Sequence, residues 1–208
     1  MRVVDLTYPI TALTPTFPGD PKVEFSQIHE IEKAGYSGFE IKMPMHVGTH
    51  IDAPAHMIKG GSFLSQFDAG SFCGRGHLAD ARGRKNIGPE VLVGLDINPG
   101  DIVLIMTGWY KKFGQKEYFE NFPEISEKLA KDLIACGVNM VGMDTPSPDK
   151  EPYLIHKLFL KNKILILENL TNLAELIDER FEVFALPAKF HTEAAPARVV
   201  ARIEKNHE

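Results

Sequence analysis

The chain has 208 residues, a mass of 23.2 kDa and a formal charge of -5, with an isoelectric point near 5.9. This acidic balance lacks the basic footprint of nucleic-acid binding, and no apolar run is long enough to span a bilayer. Residues 1–5 do not resemble the start of a signal peptide, so we expect one cytoplasmic domain over residues 1–208, without nucleic-acid or membrane partners.

Strands dominate the elements predicted for the first half of the chain. Their predicted ranges are 2–6, 23–31, 77–80 and 102–106. Short helical segments are predicted at 62–67 and 89–95. Proline and glycine mark the loop 14–21 and the turn 98–101, which leads into the most apolar of these strands.

Helices and strands alternate in the second half. Ser126 is predicted to cap a helix that ends at Gly137, because serine favours the N-cap and glycine the position after the last turn. The other predicted elements are the strands 139–143, 163–170, 181–186 and 198–203 and the helical segments 153–160 and 172–178. This mixture predicts an α/β protein with a mixed sheet, either layered or barrel-like.

The two cysteines, Cys73 and Cys136, stand far apart in the sequence and outside any C-x-x-C pair. Neither a disulfide framework nor a thiolate zinc site is therefore indicated. We expect both to be small buried hydrophobic residues.

Residues 46–56 hold three histidines and one aspartate within eleven positions. Imidazole and carboxylate are ligands that zinc and its first-row neighbours accept. Gly48 and Pro54 let the backbone bend, so that the side chains can converge. The stretch therefore predicts a metal-binding corner.

Two backbone conformations would bring these side chains together. His46 and His50 are four residues apart and would share a helix face, whereas His46, His50, Asp52 and His56 share the parity that puts them on one side of a strand. Prolines and a glycine disfavour a helix here, so an extended, kinked segment is favoured. Apolar and polar residues alternate over 39–46, which places His46 on the polar side of a strand.

Two later residues fit a larger assembly. Glu168 interrupts an apolar strand, and a buried carboxylate needs a partner such as a metal ion. His156 follows the polar loop 144–149, where α/β proteins often place site residues. Taken alone, His156 is more often a helix-face histidine and Glu168 a charge at the end of a strand.

The pattern His46-x-Gly-Thr-His50-x-Asp52-x-Pro54-x-His56 resembles the signature of the metal-dependent cyclase family, which includes bacterial kynurenine formamidases, isatin hydrolases and trans-dienelactone hydrolases. Weaker flanking motifs extend the likeness over most of the chain, at 5–10, 17–20, 107–109, 142–149 and 196–198. The resemblance implies the fold of that family, a mixed β-sheet in a barrel-like swivelling β/α/β domain.

Carried over by position, the resemblance implies two divalent metal ions, zinc by preference and manganese as the alternative. His46, His50 and Asp52 would hold one ion, while Asp52 as a bridge, His156 and Glu168 would hold the second. Each ion would then have three protein ligands and an open position for water, as in catalytic sites.

The implied reaction is an arylformamidase-like hydrolysis of a formyl amide, a cyclic amide or a lactone by a metal-bound hydroxide. His56 would be the catalytic acid/base, taking a proton and returning one to the departing amine or alkoxide. Phe17 and His191 depart from many relatives, so they are candidates for shaping the pocket, as is a neighbouring subunit. Relatives form dimers or tetramers, so a homodimer or homotetramer is expected.

Two other functions could use the same residues. A metal-dependent cyclase or dehydratase would use the ions to stabilise an enolate. A non-catalytic metal or small-ligand binding module would close the coordination of its ions with protein ligands. A serine hydrolase is not expected, because the sequence has no G-x-S-x-G motif.

Several polar and aromatic residues have simpler structural explanations. Ordinary surface or core histidines are expected at His29, His77 and His207. Turn formation or a supporting role is expected for Asp144, Ser147 and Asp149. Pocket walls or, more commonly, core positions are expected for Phe17, Phe63, Phe67 and Trp109.

Overall fold

The computed structural model describes residues 1–204. The strands are β1 (Arg2–Asp5), β2 (Glu24–His29), β3 (Gly38–Lys42), β4 (His50–Asp52), β5 (Cys73–Asp80), β6 (Asn86–Ile87), β7 (Ile102–Met106), β8 (Glu124–Ile125), β9 (Met140–Met143), β10 (Leu165–Glu168), β11 (Phe181–Pro187) and β12 (Ala194–Ile203). The α-helices are α1 (Ile31–Ala34), α2 (Glu127–Cys136) and α3 (Leu154–Lys161). Within the described range, no helix combines the length and the apolar character that crossing a membrane requires.

Seven strands close into a mixed, barrel-like sheet. Their order is β12, β11, β5, β7, β9, β10 and β4, and β4 pairs back with β12 to close the ring. Strands β5, β7, β9 and β10 run parallel to one another, whereas every pair that involves β4, β11 or β12 is antiparallel. The α/β class with a mixed, barrel-like sheet is therefore confirmed.

Two apolar cores explain why the central strands are continuously hydrophobic. In β7, Ile102, Leu104 and Met106 belong to the core that the sheet encloses, while Val103 and Ile105 belong to a second core beneath α2 and α3. A strand that is covered on both faces has no polar side, so it becomes an unbroken apolar run.

Local signals also fix helix α2. The side chain of Ser126 accepts a hydrogen bond from the backbone N–H of Leu129, and Gly137 ends the helix with a φ of 72°. Leu129 and Leu133 lie on the buried face of this helix. Both predicted ends are confirmed.

Other sequence predictions need correction. Strand β3 ends at Lys42, so the prediction that His46 lies in a strand is wrong; Pro44 lacks the N–H that a continuing ladder needs. The segments predicted as helical at 89–95 and 172–178 are single 3-10 turns, Pro89–Leu92 and Leu173–Leu176.

Both cysteines are free, but the prediction that they are buried is wrong. Cys73 and Cys136 are half-buried, because Cys73 opens β5 and Cys136 is the last residue of α2. Both positions lie at the end of an element, where the surrounding chain covers less of the side chain.

Candidate metal centre

Strand β4 lies between β10 and β12 and carries two of the predicted ligands. Ile51 points into the enclosed core, so the alternation of the strand sends His50 and Asp52 to the other face. Glu168 stands opposite His50 in the β4–β10 pairing. As a result, His50 Nε2 lies 3.3 Å from Asp52 Oδ1 and 3.3 Å from Glu168 Oε2.

The segments on either side of β4 bring in two further histidines. His46 precedes Gly48, whose positive φ of 59° turns the chain into the strand. His46 Nδ1 lies 2.9 Å from Asp52 Oδ1. His56 belongs to the 3-10 turn Pro54–His56, and its ring centroid lies 4.2 Å from that of His46.

Helix α3 packs over β10 and supplies His156. The Nε2 atom of His156 lies 3.2 Å from Glu168 Oε1 and 3.9 Å from Asp52 Oδ2. Its Nδ1 atom lies 2.6 Å from Asp149 Oδ1, in the polar loop that follows β9. The fold therefore gathers all six predicted residues, although they are spread over more than a hundred positions of sequence.

The polar atoms at this place are poorly satisfied by the protein itself. His50 Nε2, Asp52 Oδ1 and Glu168 Oε1 are buried, and within residues 1–204 they have no partner with hydrogen-bond geometry, even though groups of opposite charge lie close by. Two sets of ligand atoms lie within 4.8 Å of one another: His46, Asp52 and His56, and His50, Asp52 and Glu168. Buried polar atoms without hydrogen-bond partners, in a set of mixed nitrogen and oxygen ligands, suit the binding of a divalent metal ion.

The carboxylates control the pKa values of the buried histidines. Burial lowers the pKa of His50, but Asp52 and Glu168 outweigh it and raise the pKa well above 6.5. For His156, burial is likewise outweighed by Asp149 and Glu168, which raise its pKa to about 10. Burial raises the pKa of Asp52, yet His46 and His50 bring it well below 3.8.

The pKa of His56 is shifted in the opposite direction from those of His50 and His156. Burial is the largest influence on its ring and lowers its pKa below 6.5, and the neighbouring His46 and His156 act in the same direction. At neutral pH, the lowered pKa consequently leaves His56 with a free ring nitrogen that can accept a proton.

A cavity of about 280 Å³ opens onto the cluster. Phe17, Phe119 and Tyr153 supply aromatic walls, and Met57 contributes a flexible apolar side chain. A larger cavity of about 670 Å³ lies beside His77 and Phe181 and is lined by none of the six residues.

Of the aromatic residues considered from sequence, only Phe17 lines the cavity at the cluster within residues 1–204. Phe67 packs against the enclosed core, and the Trp109 indole donates to the carbonyl oxygen of Tyr118. His191 lies outside this cavity lining, where its ring contacts Phe63 and its Nδ1 lies 2.8 Å from Ser65 Oγ.

The expected structural roles are clear at several other positions. His77 is a satisfied core histidine, with Nε2 2.7 Å from Asp101 Oδ2, and His29 is a partly buried ring against Tyr36. Asp144 accepts hydrogen bonds from Thr107 and Gly108, so it fixes the loop after β9. His207 lies outside the described residues.

Sequence reasoning missed two residues beside the cluster. Asn169 donates to the carbonyl oxygen of Gly48 and accepts from the Tyr118 hydroxyl, which ties β10 to the histidine-rich segment. Its positive φ of 58° is unusual, but a left-handed asparagine leaves little trace in a sequence. Glu193 Oε1 lies 3.5 Å from His46 Nε2, a proximity that arises from the distant pairing of β12 with β4.

Comparisons with known proteins cover almost the whole chain. The Cyclase family model matches residues 4–150. An uncharacterized protein of Methanocaldococcus jannaschii is 35% identical over 97% of this chain and 99% of its own, and the kynurenine formamidase of Bacillus cereus is 30% identical over 96% of each. The solved structure of isatin hydrolase A from Labrenzia aggregata is 25% identical, with a TM-score of 0.82 over 96% of this chain and 93% of that one.

Proposed function

The chain belongs to the cyclase family, and on this basis we propose that it is a binuclear metal-dependent hydrolase of a formyl amide, a cyclic amide or a lactone. The observation that carries the proposal is the convergence of six histidine, aspartate and glutamate side chains. Three buried nitrogen or oxygen atoms among them lack a hydrogen-bond partner in the described part of the chain. Two similar proteins, a kynurenine formamidase and an isatin hydrolase, have names that denote hydrolysis.

The donor set suits two divalent ions. His46, His50 and Asp52 would hold one, and Asp52, His156 and Glu168 the other, with zinc preferred and manganese as the alternative. When bound, such ions supply Lewis-acid chemistry that polarises a carbonyl group and lowers the pKa of water.

His56 is proposed to be the acid/base of the reaction. Its lowered pKa keeps the ring neutral at pH 7, so it can accept a proton from the attacking water. It lines the same cavity as the proposed ligand residues, so a substrate held there would be within its reach. It would then return the proton to the departing amine or alkoxide.

The cavity walls indicate the kind of substrate that fits. A volume of about 280 Å³ is at the small end of ligand sites, and the rings of Phe17 and Phe119 meet edge to face at 5.7 Å. A compact substrate with an aromatic or other planar apolar group would pack against these rings and exclude water from the carbonyl.

The test begins with metal-stripped protein reloaded with zinc or manganese. We expect two ions per chain by mass spectrometry and metal-dependent hydrolysis of at least one of N-formylkynurenine, isatin and simple lactones, with solvent oxygen in the product. The Asp52→Asn variant serves as the control that loses both metal and activity. Product without solvent oxygen would support the cyclase or dehydratase alternative, and ions with closed protein coordination would support a binding module.

We further propose that the chain forms a homodimer or homotetramer, on the basis of the β2–β3 hairpin. These strands pair with each other in a sheet of their own, and their register puts Phe25, Phe39 and Ile41 on one face. The exposed fractions of these residues are 37%, 59% and 50%. An isolated two-stranded hairpin is only marginally stable in water, so its apolar face needs another surface to pack against. A second copy of the chain is always available to supply that surface.

Sedimentation of the wild type and the Phe39→Glu, Ile41→Glu double variant tests this assembly. We expect an oligomer for the wild type and a lighter species for the variant, with unchanged far-UV circular dichroism. The matched control is Glu40→Gln, on the opposite face of β3. A monomeric wild type at working concentration refutes the proposal.

A further inference from the structure

Two of the proposed metal-binding histidines, His50 and His156, each have a hydrogen-bond acceptor on the ring nitrogen that faces away from the cluster. In each, Nε2 faces the carboxylates and Nδ1 faces an oxygen on the far side of the ring. His50 Nδ1 lies 2.9 Å from the carbonyl oxygen of Gly48, and His156 Nδ1 lies 2.6 Å from Asp149 Oδ1. An acceptor on the outer nitrogen fixes both the tautomer and the orientation of a metal-binding imidazole.

His46 has the same arrangement with its two nitrogens exchanged. Its Nδ1 lies 2.9 Å from Asp52 Oδ1, and its Nε2 lies 3.5 Å from Glu193 Oε1. We propose that Glu193 is a positioning residue for His46, whose Nε2–H it accepts while Nδ1 is directed to the metal. This inference rests on the proposed function, because it presumes an ion at His46.

Burial explains why His46 needs such a partner more than the other two histidines do. The side chain of His46 is 22% exposed, whereas those of His50 and His156 are 2% and 4% exposed. Packing around the buried rings adds to their hydrogen-bond acceptors in fixing their orientation. At the more open position of His46, a carboxylate is needed to restrict the rotation of the ring.

The backbone of Glu193 is held firmly, although its side chain is 38% exposed. Its carbonyl oxygen accepts a hydrogen bond of 2.8 Å from the N–H of Ala53, directly after the ligand strand β4. The preceding carbonyl, of Thr192, accepts from the N–H of Leu64 at 3.0 Å. The carboxylate therefore starts from a fixed point beside Asp52, so a small change of rotamer closes the contact with His46.

The test compares Glu193→Ala with the conservative Glu193→Gln, whose amide oxygen can still accept a hydrogen bond. Affinities for Zn²⁺ are measured by competition with a chromophoric chelator, and the visible spectrum is recorded after loading with Co²⁺. We expect Glu193→Ala to weaken one of the two sites about 10- to 100-fold and to alter the Co²⁺ spectrum, while Glu193→Gln stays within a few-fold of wild type. The melting temperature of the metal-free protein should be unchanged in both variants.

Glu40→Ala, on the hairpin, is the matched control and should leave both affinities unchanged. Unchanged zinc affinity in Glu193→Ala overturns the inference, as does an equal loss in Glu193→Gln, which would make the carboxylate a direct ligand. A wild type that binds no metal would contradict the proposed function instead, so the two failures are distinguishable.

Discussion

Asp149 and His156 form a buried pair in which a carboxylate oxygen lies 2.6 Å from a ring nitrogen. The second carboxylate oxygen of Asp149 accepts the backbone N–H of Ile155 at 2.7 Å. One side chain thus binds the first turn of α3 and also orients the histidine that the helix carries. Secondary structure and site geometry are coupled at this residue.

Replacing Asp149 with Asn tests this coupling. The amide is similar in shape, but without a charge it orients the imidazole of His156 less strongly. We expect the affinity for one divalent ion to fall about 10- to 100-fold. Chelator competition measures the loss, and Asp132→Asn, an exposed change on α2, is the control. Equal affinities in wild type and Asp149→Asn would show that the pair does not tune the site.

The proton-transfer role of His56 predicts a split between binding and turnover. Because His56 is proposed to move protons and not to hold an ion, His56→Gln should retain two ions per chain while its turnover falls about 10²- to 10⁴-fold. Metal content is measured by mass spectrometry and turnover with the best substrate of the screen. His29→Gln is the matched control. Full turnover in His56→Gln, or loss of an ion, would contradict the role.

The raised pKa of His156 predicts a pH-dependent stability of the metal-free protein. Its folded-state pKa of about 10 lies above the ordinary value of 6.5, so the protonated ring stabilises the fold. That contribution is complete below pH 6.5 and is lost as the pH rises towards about 10. Urea unfolding with a chelator present should show the difference between wild type and His156→Gln shrinking over this window. A constant difference would contradict the shift.

The affinity for metal should rise with pH, whereas the contribution of His156 to stability falls. An ion must displace the protons of His50 and His156, so zinc affinity should rise as the pH increases from about 6 to about 8. Calorimetry at pH 7 in buffers of different ionisation enthalpy counts the protons released. An affinity that does not change with pH would be inconsistent with protonated ligands in the metal-free state.

A change at a residue outside the cluster separates stability from function. Ser126→Ala removes the acceptor of the Leu129 N–H at the start of α2, at a cost of about 1 kcal/mol. The free energy of unfolding should fall by this amount in urea titrations, while metal content stays at the wild-type value. Ser126→Asp keeps a capping oxygen and should recover most of the loss.

Features governed by neighbours in sequence were the ones that could be predicted. Strand β7 matches its predicted range, because a strand buried on both faces is apolar throughout. Ser126 and Gly137 mark the ends of α2, because capping depends on a few adjacent residues. The density of His and Asp in 46–56 likewise pointed to the place where the cluster forms.

What could not be predicted depends on pairing between distant segments. The prediction that the histidine-rich stretch is extended is correct for β4. It fails for His46, which lies outside the strand because of Pro44 and the turn at Gly48. Glu193 is 141 positions from Asp52, and only the β12–β4 pairing brings it to the site. No local signal specifies such a register, because it follows from closure of the whole sheet.

Closure of the sheet also sets an order of events during synthesis. Strand β12 pairs with β1, β4 and β11, so the ligand strand near residue 50 gains its second neighbour only after residue 194 has been made. A nascent chain on the ribosome therefore carries all five proposed metal ligands before the strand that closes the ring has been made. The pairing of β4 with β10 already sets Glu168 opposite His50. What β12 adds when it docks is therefore the closure of the ring and the approach of Glu193 to His46.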